Sequence, residues 1–141
     1  MSSLLKVALS QWGTREFPGD DNNPEVVKYF EVLGYGWSDS VPWCSAFMNW
    51  CALKSDHEHT GKLTARSWLS VGTEVVDPMV GDVVVFSRGD KSSWKGHVGL
   101  YVKQDSIYIW SLGGNQDNMV NIKTYDKDRL LGYRRLRIVE G

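Results

Sequence analysis

The hydrophobic pattern of this chain changes near Pro78 from the period of a helix to the period of a strand. Before that point, apolar residues recur three and four positions apart, as on one face of a helix. After it, they form short β-branched runs separated by turn residues, which is typical of strands. Helices followed by strands favour the α+β class. We therefore expect N-terminal helices packed on a C-terminal antiparallel sheet of about five strands.

Several segments show where individual helices and strands lie. Asn23 followed by Pro24 is a typical helix start, because asparagine caps a helix and proline fits its first turn. Gly34 is expected to end that helix. The predicted helices cover 4–12, 24–33, 41–53 and 65–71, and the predicted strands cover 83–86, 97–102, 107–112, 119–123 and 133–139.

Length and charge narrow the class of protein. The chain has 141 residues, enough for one hydrophobic core, so we expect a single domain over 1–141. The formal net charge is −1 and the basic residues are spread along the chain, so nucleic acid is not an expected partner.

Residues 1–11 lack the features of a signal peptide, and no run approaches the roughly 20 apolar residues of a membrane-spanning helix. We therefore expect synthesis in the cytoplasm and no membrane insertion.

The chain has two cysteines, Cys44 and Cys51, in one predicted helix. Their spacing places them two turns, about 10 Å, apart along the helix axis. That separation exceeds disulfide geometry, so we expect two free thiols. No CxxC pair accompanies them, and a zinc site or other metal site is not expected.

Cys44 lies at the predicted N-terminus of this helix, whereas Cys51 fits the description of a buried structural thiol. A helix N-terminus has unpaired N–H groups and the positive end of the helix dipole. Both features lower a thiol pKa, and the same N–H groups can stabilise an oxyanion. The sequence therefore makes Cys44 a candidate nucleophile and the backbone of Ser45 a candidate oxyanion donor.

His97 opens a predicted strand and is a candidate base for the cysteine. The other two histidines, His57 and His59, lie in a polar run and are expected to be solvated. Asn115 and Gln116 end the strand antiparallel to the one that His97 begins, so either side chain can lie behind the imidazole and orient it. An ordinary Gly-Asn loop is the alternative interpretation of this segment.

Four sequence blocks resemble a known family. They are PWCSAF at 42–47, ARSWL at 65–69, GHVG at 96–99 and LGGNQ at 112–116. The blocks resemble those of the papain-like NlpC-type and CHAP (cysteine, histidine-dependent amidohydrolase/peptidase) superfamily of peptidoglycan hydrolases. Within this superfamily, the chain looks like the small phage and prophage family whose members carry all four blocks in this order. Because four ordered blocks match, the resemblance is far more specific than any single motif.

The resemblance implies a role for several of these residues. Cys44 corresponds to the nucleophile and His97 to the general base, and no cofactor is implied. CHAP members often have a glutamate two residues before an asparagine on this strand, but this chain has Gly113 there. That difference leaves Asn115 as our choice for the third catalytic residue, with Gln116 as the alternative.

Aromatic residues near the nucleophile are candidates for the walls of a substrate groove. We name Trp43, Trp94 and Tyr35, although each tryptophan fits the core equally well. Glu16 and residues 20–23 also resemble the family, but the sequence assigns them no role.

The resemblance implies cleavage of an amide bond in the stem peptide or cross-link of bacterial peptidoglycan. We expect a monomeric phage endolysin that acts on the cell wall in the periplasm after holin-type release. Single-domain lysins of this kind resemble those directed at thin Gram-negative walls. A delivered antibacterial toxin would use the same chemistry. A non-catalytic wall-binding module of a phage structural protein and a thiol enzyme acting on proteins are the alternatives from other classes.

Overall fold

Three α-helices precede the sheet in this computed structural model, which describes residues 2–18, 22–36 and 42–139. Two short 3₁₀ helices, Ala65–Ser70 and Lys127–Arg129, lie before and within the sheet segment. The α-helices are α1 (Ser3–Ser10), α2 (Pro24–Glu31) and α3 (Cys44–Lys54). All four predicted helices are confirmed, although the fourth is a 3₁₀ helix. Within the described residues, no helix is long and apolar enough to cross a membrane.

The strands of the described residues form one antiparallel sheet in the order β1-β6-β2-β3-β4-β5. Their bounds are β1 (Thr73–Val75), β2 (Val83–Ser87), β3 (Gly96–Gln104), β4 (Tyr108–Gln116), β5 (Met119–Asp126) and β6 (Leu130–Arg135). The predicted α+β class is therefore confirmed, with six strands instead of about five. The additional strand, β1, has three residues, which is too short to show a strand period in the sequence.

The last predicted strand, 133–139, was wrong in its position. Strand β6 begins at Leu130 because its residues pair with β2, where Phe86 lies opposite Leu130. It ends at Arg135, and beyond it Ile138 makes only an isolated bridge with His57. His57 itself is buried and its Nδ1 lies 2.9 Å from the Ser55 hydroxyl, so the expectation of a solvated side chain was also wrong.

Local interactions fix where α2 begins and ends. The Asn23 side chain accepts a hydrogen bond from the Glu25 N–H, as the capping prediction required. The Asn23 amide also donates to the Arg15 carbonyl, which ties the helix start to the preceding segment. After the helix, Gly34 has a φ of +80°, a conformation that favours glycine.

Helix α3 is the central element of the core and packs on β3 and β4. Phe47 on α3 is fully buried, and burial of such a side chain contributes roughly 1.5–3 kcal/mol. Strand β4 approaches this helix very closely at Gly114. A Cβ at that position would lie 2.8 Å from Phe47 Cβ and 2.8 Å from a ring carbon of Trp43. Only glycine therefore allows β4 to lie this close to the start of α3.

The turn between β4 and β5 contains an irregularity that matters for the site. Asp117 and Asn118 have φ values of +54° and +64°, as in the type I′ turns that suit hairpins. The register of the two strands also shifts between Gly113 and Gln116, and Asn115 has a φ of +57° within the shift. A bulge of this kind changes which side chains face each side of the sheet.

Candidate active site

Cys44 is the first residue of α3 and lies almost completely buried, with 4% of its surface exposed. Backbone N–H groups of Ser45 on the same helix and of Val98 on β3 form hydrogen bonds to its sulfur. These contacts place the thiol between the start of the helix and the first residues of β3. Cys51 is also a free thiol, and it is buried about two helical turns further along α3. It lines neither of the two cavities described below.

Burial raises the pKa of the Cys44 thiol above its ordinary value. The hydrogen bonds from Val98 and Ser45 and the positive charge of Arg88 act in the opposite direction but are smaller. The lowered pKa expected from the helix N-terminus was therefore wrong, because loss of water outweighs the helix and its charges. The resting sulfur is a neutral thiol at pH 7.

His97 lies near the start of β3, opposite Phe86 of β2, and is 8% exposed. Its ring stacks on the Tyr125 ring of β5 with centroids 4.9 Å apart. The Phe86 ring of β2 also lies nearly parallel to the imidazole, with centroids 6.4 Å apart. Burial lowers the pKa of His97 to about 4, against a smaller opposite effect of its hydrogen bond to Gln116. The imidazole is therefore neutral at pH 7 and able to accept a proton.

Gln116 holds the imidazole by a hydrogen bond of 2.9 Å between its Oε1 and His97 Nε2. The Gln116 amide nitrogen donates to the carbonyl of Ser111 at 3.0 Å and to that of Asn121 at 2.8 Å. Those two acceptors fix the orientation of the amide, so that its oxygen faces the histidine. Nε2 must then carry the hydrogen, and Nδ1 has the free lone pair.

Asn115, our first choice for the third position, does not occupy that place. Its backbone lies in the bulge, and its side chain lines the cavity beside Cys44 instead. The alternative, Gln116, makes the contact with His97. Gly113 explains this arrangement, because a Cβ at position 113 would lie 2.7 Å from Gln116 Oε1. The Gln116 amide thus occupies the space that a side chain at position 113 would need.

Two cavities open on either side of Cys44. The first has a volume of about 450 Å³ and a largely apolar wall, in which Trp94 is 71% exposed. Its other lining residues are Pro42, Leu63, Thr64, Ala65, Arg88, Lys95 and Gly96. The second has a volume of about 400 Å³ and a polar wall. Cys44 and His97 share the second cavity with Arg88, Asn115, Asp117, Asn118, Lys123, Tyr125 and Arg129.

Of the predicted groove residues, only Trp94 lines a cavity at the cysteine. Trp43 is completely buried, stacks on Tyr29 and donates its indole N–H to Glu16, so it belongs to the core. Tyr35 is exposed, but its hydroxyl donates to the Gly61 carbonyl at 3.4 Å and it lines neither cavity. The groove assignment of Trp43 was therefore wrong, whereas that of Tyr35 stays a prediction.

The Ser45 side chain is buried and has a structural role. Its hydroxyl donates to the Lys62 carbonyl at 2.7 Å and accepts the indole N–H of Trp68 at 2.9 Å. Only the backbone N–H of Ser45 is directed to the sulfur. The serine therefore ties the start of α3 to the 3₁₀ helix at Ala65–Ser70, on which Trp68 lies.

Two residues to which the sequence assigned no role support the position of the site. Glu16, which had no assigned role, accepts the Trp43 indole N–H and so anchors the residue before the cysteine. Arg66 donates to the carbonyls of Asp90, Lys91 and Lys95, which holds the loop that carries Trp94. Neither role is visible in the sequence, since both depend on contacts with distant segments. Asp20 and Asp21 lie outside the described residues.

In the described ranges, no group of three or more His, Cys, Asp or Glu side chains is arranged to hold a metal ion. The functional groups that the structure does bring together are a thiol, an imidazole and a side-chain amide. A cysteine at a helix start, a histidine on the adjoining strand and an amide behind its ring form an arrangement that is also found in papain-like cysteine hydrolases.

Comparison with known proteins identifies the family. The CHAP domain model matches residues 35–115, more than half of the chain, and the chain belongs to this family. The structure is similar to an NLP/P60 family protein described as similar to lipoprotein, from Staphylococcus aureus subsp. aureus Mu50, with a TM-score of 0.53 and 17% sequence identity. The match covers 99% of this chain and 41% of the staphylococcal one. No curated protein sequence matches significantly.

The family match and the structural match support different conclusions about the chain. CHAP and NLP/P60 proteins are generally cysteine peptidases or amidases that act on peptidoglycan. The similarity to the staphylococcal structure, at 17% identity, establishes the fold alone. The chain is therefore a member of the CHAP family with a fold similar to that of an NLP/P60 family protein.

Proposed function

We propose that this protein hydrolyses an amide bond in the stem peptide or cross-link of peptidoglycan, through a thioester on Cys44 with His97 as the base. The observation that carries the proposal is the cavity that Cys44 and His97 share, with the imidazole held from behind by Gln116. A neutral thiol beside a neutral imidazole is a pair that needs only one proton transfer to become nucleophilic.

In the acylation half of the reaction, the free Nδ1 of His97 accepts the thiol proton as the sulfur attacks the amide carbonyl. The bond from sulfur to carbon forms, and the carbonyl oxygen takes the negative charge of the tetrahedral intermediate. Backbone N–H groups at the start of α3, among them that of Ser45, are the proposed donors that stabilise this charge. The imidazolium then returns the proton to the leaving amine, and the C–N bond breaks.

In the deacylation half, water attacks the thioester. His97 takes one proton from that water and gives it to the departing sulfur, which restores the thiol and releases a carboxylic acid. Gln116 supports both halves in the same way. Its oxygen accepts the Nε2–H and stabilises the imidazolium each time it forms, and it keeps Nδ1 as the reacting nitrogen.

The biological setting is proposed from the family resemblance. The four blocks are those of small phage and prophage proteins, which supports a monomeric endolysin that acts on the wall in the periplasm after release from the cytoplasm. The shared chemistry means that a delivered toxin would act on the same bond. The presence of both the thiol and the imidazole in one cavity favours a hydrolase over a wall-binding module.

The test is digestion of purified Gram-negative sacculi, with the soluble products identified by mass and the new amino groups and reducing sugars measured separately. We expect fragments with new amino groups and no new reducing ends, because the proposed reaction breaks amide bonds only. The masses then name the bond. Release of new reducing ends, or binding without release of any fragment, would contradict the proposed hydrolase.

The assignment of Gln116 leads to a further prediction. Gln116→Ala is expected to lower kcat about 100-fold, because the imidazole loses the group that fixes its tautomer and stabilises its charge. Asn115→Gly is the matched control, since glycine removes the neighbouring side chain and accepts its positive φ. Because Asn115 lines the cavity whereas Gln116 makes the hydrogen bond to His97, the kcat of this control is expected to fall less than that of Gln116→Ala on the same substrate. A larger loss for Asn115→Gly than for Gln116→Ala would reverse the assignment.

A further inference from the structure

The polar cavity beside Cys44 contains more positive charge than its own carboxylate can neutralise. Three cations line it, Arg88, Lys123 and Arg129, together with one acid, Asp117. Lys123 Nζ lies 2.9 Å from Asp117 Oδ1 and is paired with it. Over the part of the chain that the structure describes, no ion pair includes Arg88 or Arg129. Two guanidinium groups therefore remain available to an anion.

Arg129 is held in place for such a contact. Its Nε donates to the Ser87 carbonyl at 2.9 Å, and its guanidinium carbon lies 5.1 Å from the centre of the Tyr125 ring. A guanidinium has further N–H donors beyond Nε, and these form the planar fork that fits a carboxylate. Because the side chain is already fixed, little conformational entropy is lost when a ligand binds.

Arg88 connects this charge to the reacting groups. It follows the last residue of β2 and lines both of the cavities that contain Cys44. Its positive charge acts on both Cys44 and His97. An anion bound by Arg88 and Arg129 would therefore lie in the same cavity as the nucleophile. A carboxylate and the scissile amide bond of one short peptide could occupy these two places together.

We infer that Arg88 and Arg129 form a binding subsite for a free carboxylate of the substrate peptide, and that this subsite selects stem peptides whose carboxylate is not amidated. The inference rests on the proposed function and adds a substrate class to it. Arginine pairs with carboxylates through two parallel hydrogen bonds, which favours this ligand over a neutral amide of the same shape.

The alternative role for the two arginines is purely electrostatic. In that case they would act on the charge of the cysteine and histidine and would contact no substrate group. This alternative predicts the same loss of activity on every substrate when either arginine is replaced. A substrate-binding role predicts a loss that depends on the carboxylate.

The experiment uses synthetic muramoyl stem peptides in which one carboxylate at a time is replaced by a primary amide. The full-length wild type, Arg88→Gln and Arg129→Gln are compared by kcat and KM on each peptide. For the wild type, one particular amidation is expected to lower kcat/KM about tenfold or more, mostly through KM. Each arginine variant is expected to lose a similar factor on the parent peptide and to be insensitive to that same amidation.

The matched control is Arg137→Gln, which removes an exposed arginine that lines neither cavity and is expected to behave as the wild type. Thermal melting of all variants shows that they are folded. If the wild type cleaves every peptide of the set within about threefold, the carboxylate subsite is wrong and the hydrolase function stands. If the arginine variants lose the same factor on every peptide, the subsite is also wrong. If the wild type cleaves none, the proposed function itself is wrong.

Discussion

His97→Ala is expected to lower kcat for amide hydrolysis on the order of 10³-fold, because no other group that can accept the thiol proton replaces it. Burial holds the thiol in its neutral form, so the sulfur cannot attack at a useful rate without a base. The measurement is the rate of amino-group release from purified sacculi. Imidazole added to the reaction is expected to restore part of the activity, since the variant leaves a space of that shape.

The control for this prediction is His59→Ala, which removes an exposed histidine from a loop and is expected to leave the rate unchanged. His97 also packs on Tyr125, so the melting temperature of each variant must be measured beside its activity. Rescue by imidazole distinguishes a missing base from a damaged fold. A His97→Ala protein that is folded and keeps more than a tenth of the wild-type rate would rule out this histidine as the base.

The fold class and the positions of the two candidate reacting residues could be predicted from the sequence because both depend on strong local patterns. The change of hydrophobic period near Pro78 separates the helices from the sheet, and that division is what the structure has. Cys44 lies at the start of its helix and His97 near the start of a strand. Since the helix packs on that strand, the two positions meet in one cavity.

The choice between Asn115 and Gln116 could not be made from the sequence. Successive residues of a regular strand face opposite sides, so the assignment depends on register. The bulge between Gly113 and Gln116 changes the register by an amount that no local pattern reveals. The sequence shows that Gly113 stands where CHAP members often have a glutamate. Only the structure shows the reason, because the Gln116 amide occupies the space that a side chain at position 113 would need.

The pKa of Cys44 and the place of Trp43 were mispredicted for a related reason. A helix N-terminus lowers the pKa of a thiol only where the loss of water on burial does not outweigh it. The depth of burial is a property of the whole fold. Trp43 was a groove candidate because it adjoins the cysteine. Its indole is instead held by Glu16, which lies 27 residues earlier in the chain. Contacts over such separations have no counterpart in local sequence patterns.

Cys44→Ala is expected to abolish hydrolysis, with a loss on the order of 10⁴-fold or more, because the thioester cannot form without the sulfur. The change removes a single buried atom and leaves the helix residues around it in place. Alanine is also a better helix former than cysteine, so the start of α3 is expected to persist. The variant should therefore remain folded while it loses its activity.

Cys51→Ala is the matched control, since it removes the same atom from the same helix at a buried position that lines neither cavity. Its rate is expected to stay within about threefold of the wild type, apart from a modest loss of stability. The comparison of these two variants on one substrate separates the chemistry of Cys44 from the general effect of losing a buried thiol.

The central claim is that Cys44 attacks the amide carbonyl, and the most direct test is amino-group release from sacculi by the wild type, Cys44→Ala and Cys51→Ala side by side. The predicted result is release by the wild type and by Cys51→Ala, and none by a Cys44→Ala protein that melts at a temperature similar to that of the wild type. A folded Cys44→Ala protein that still releases amino groups would contradict the thioester mechanism and place the nucleophile elsewhere.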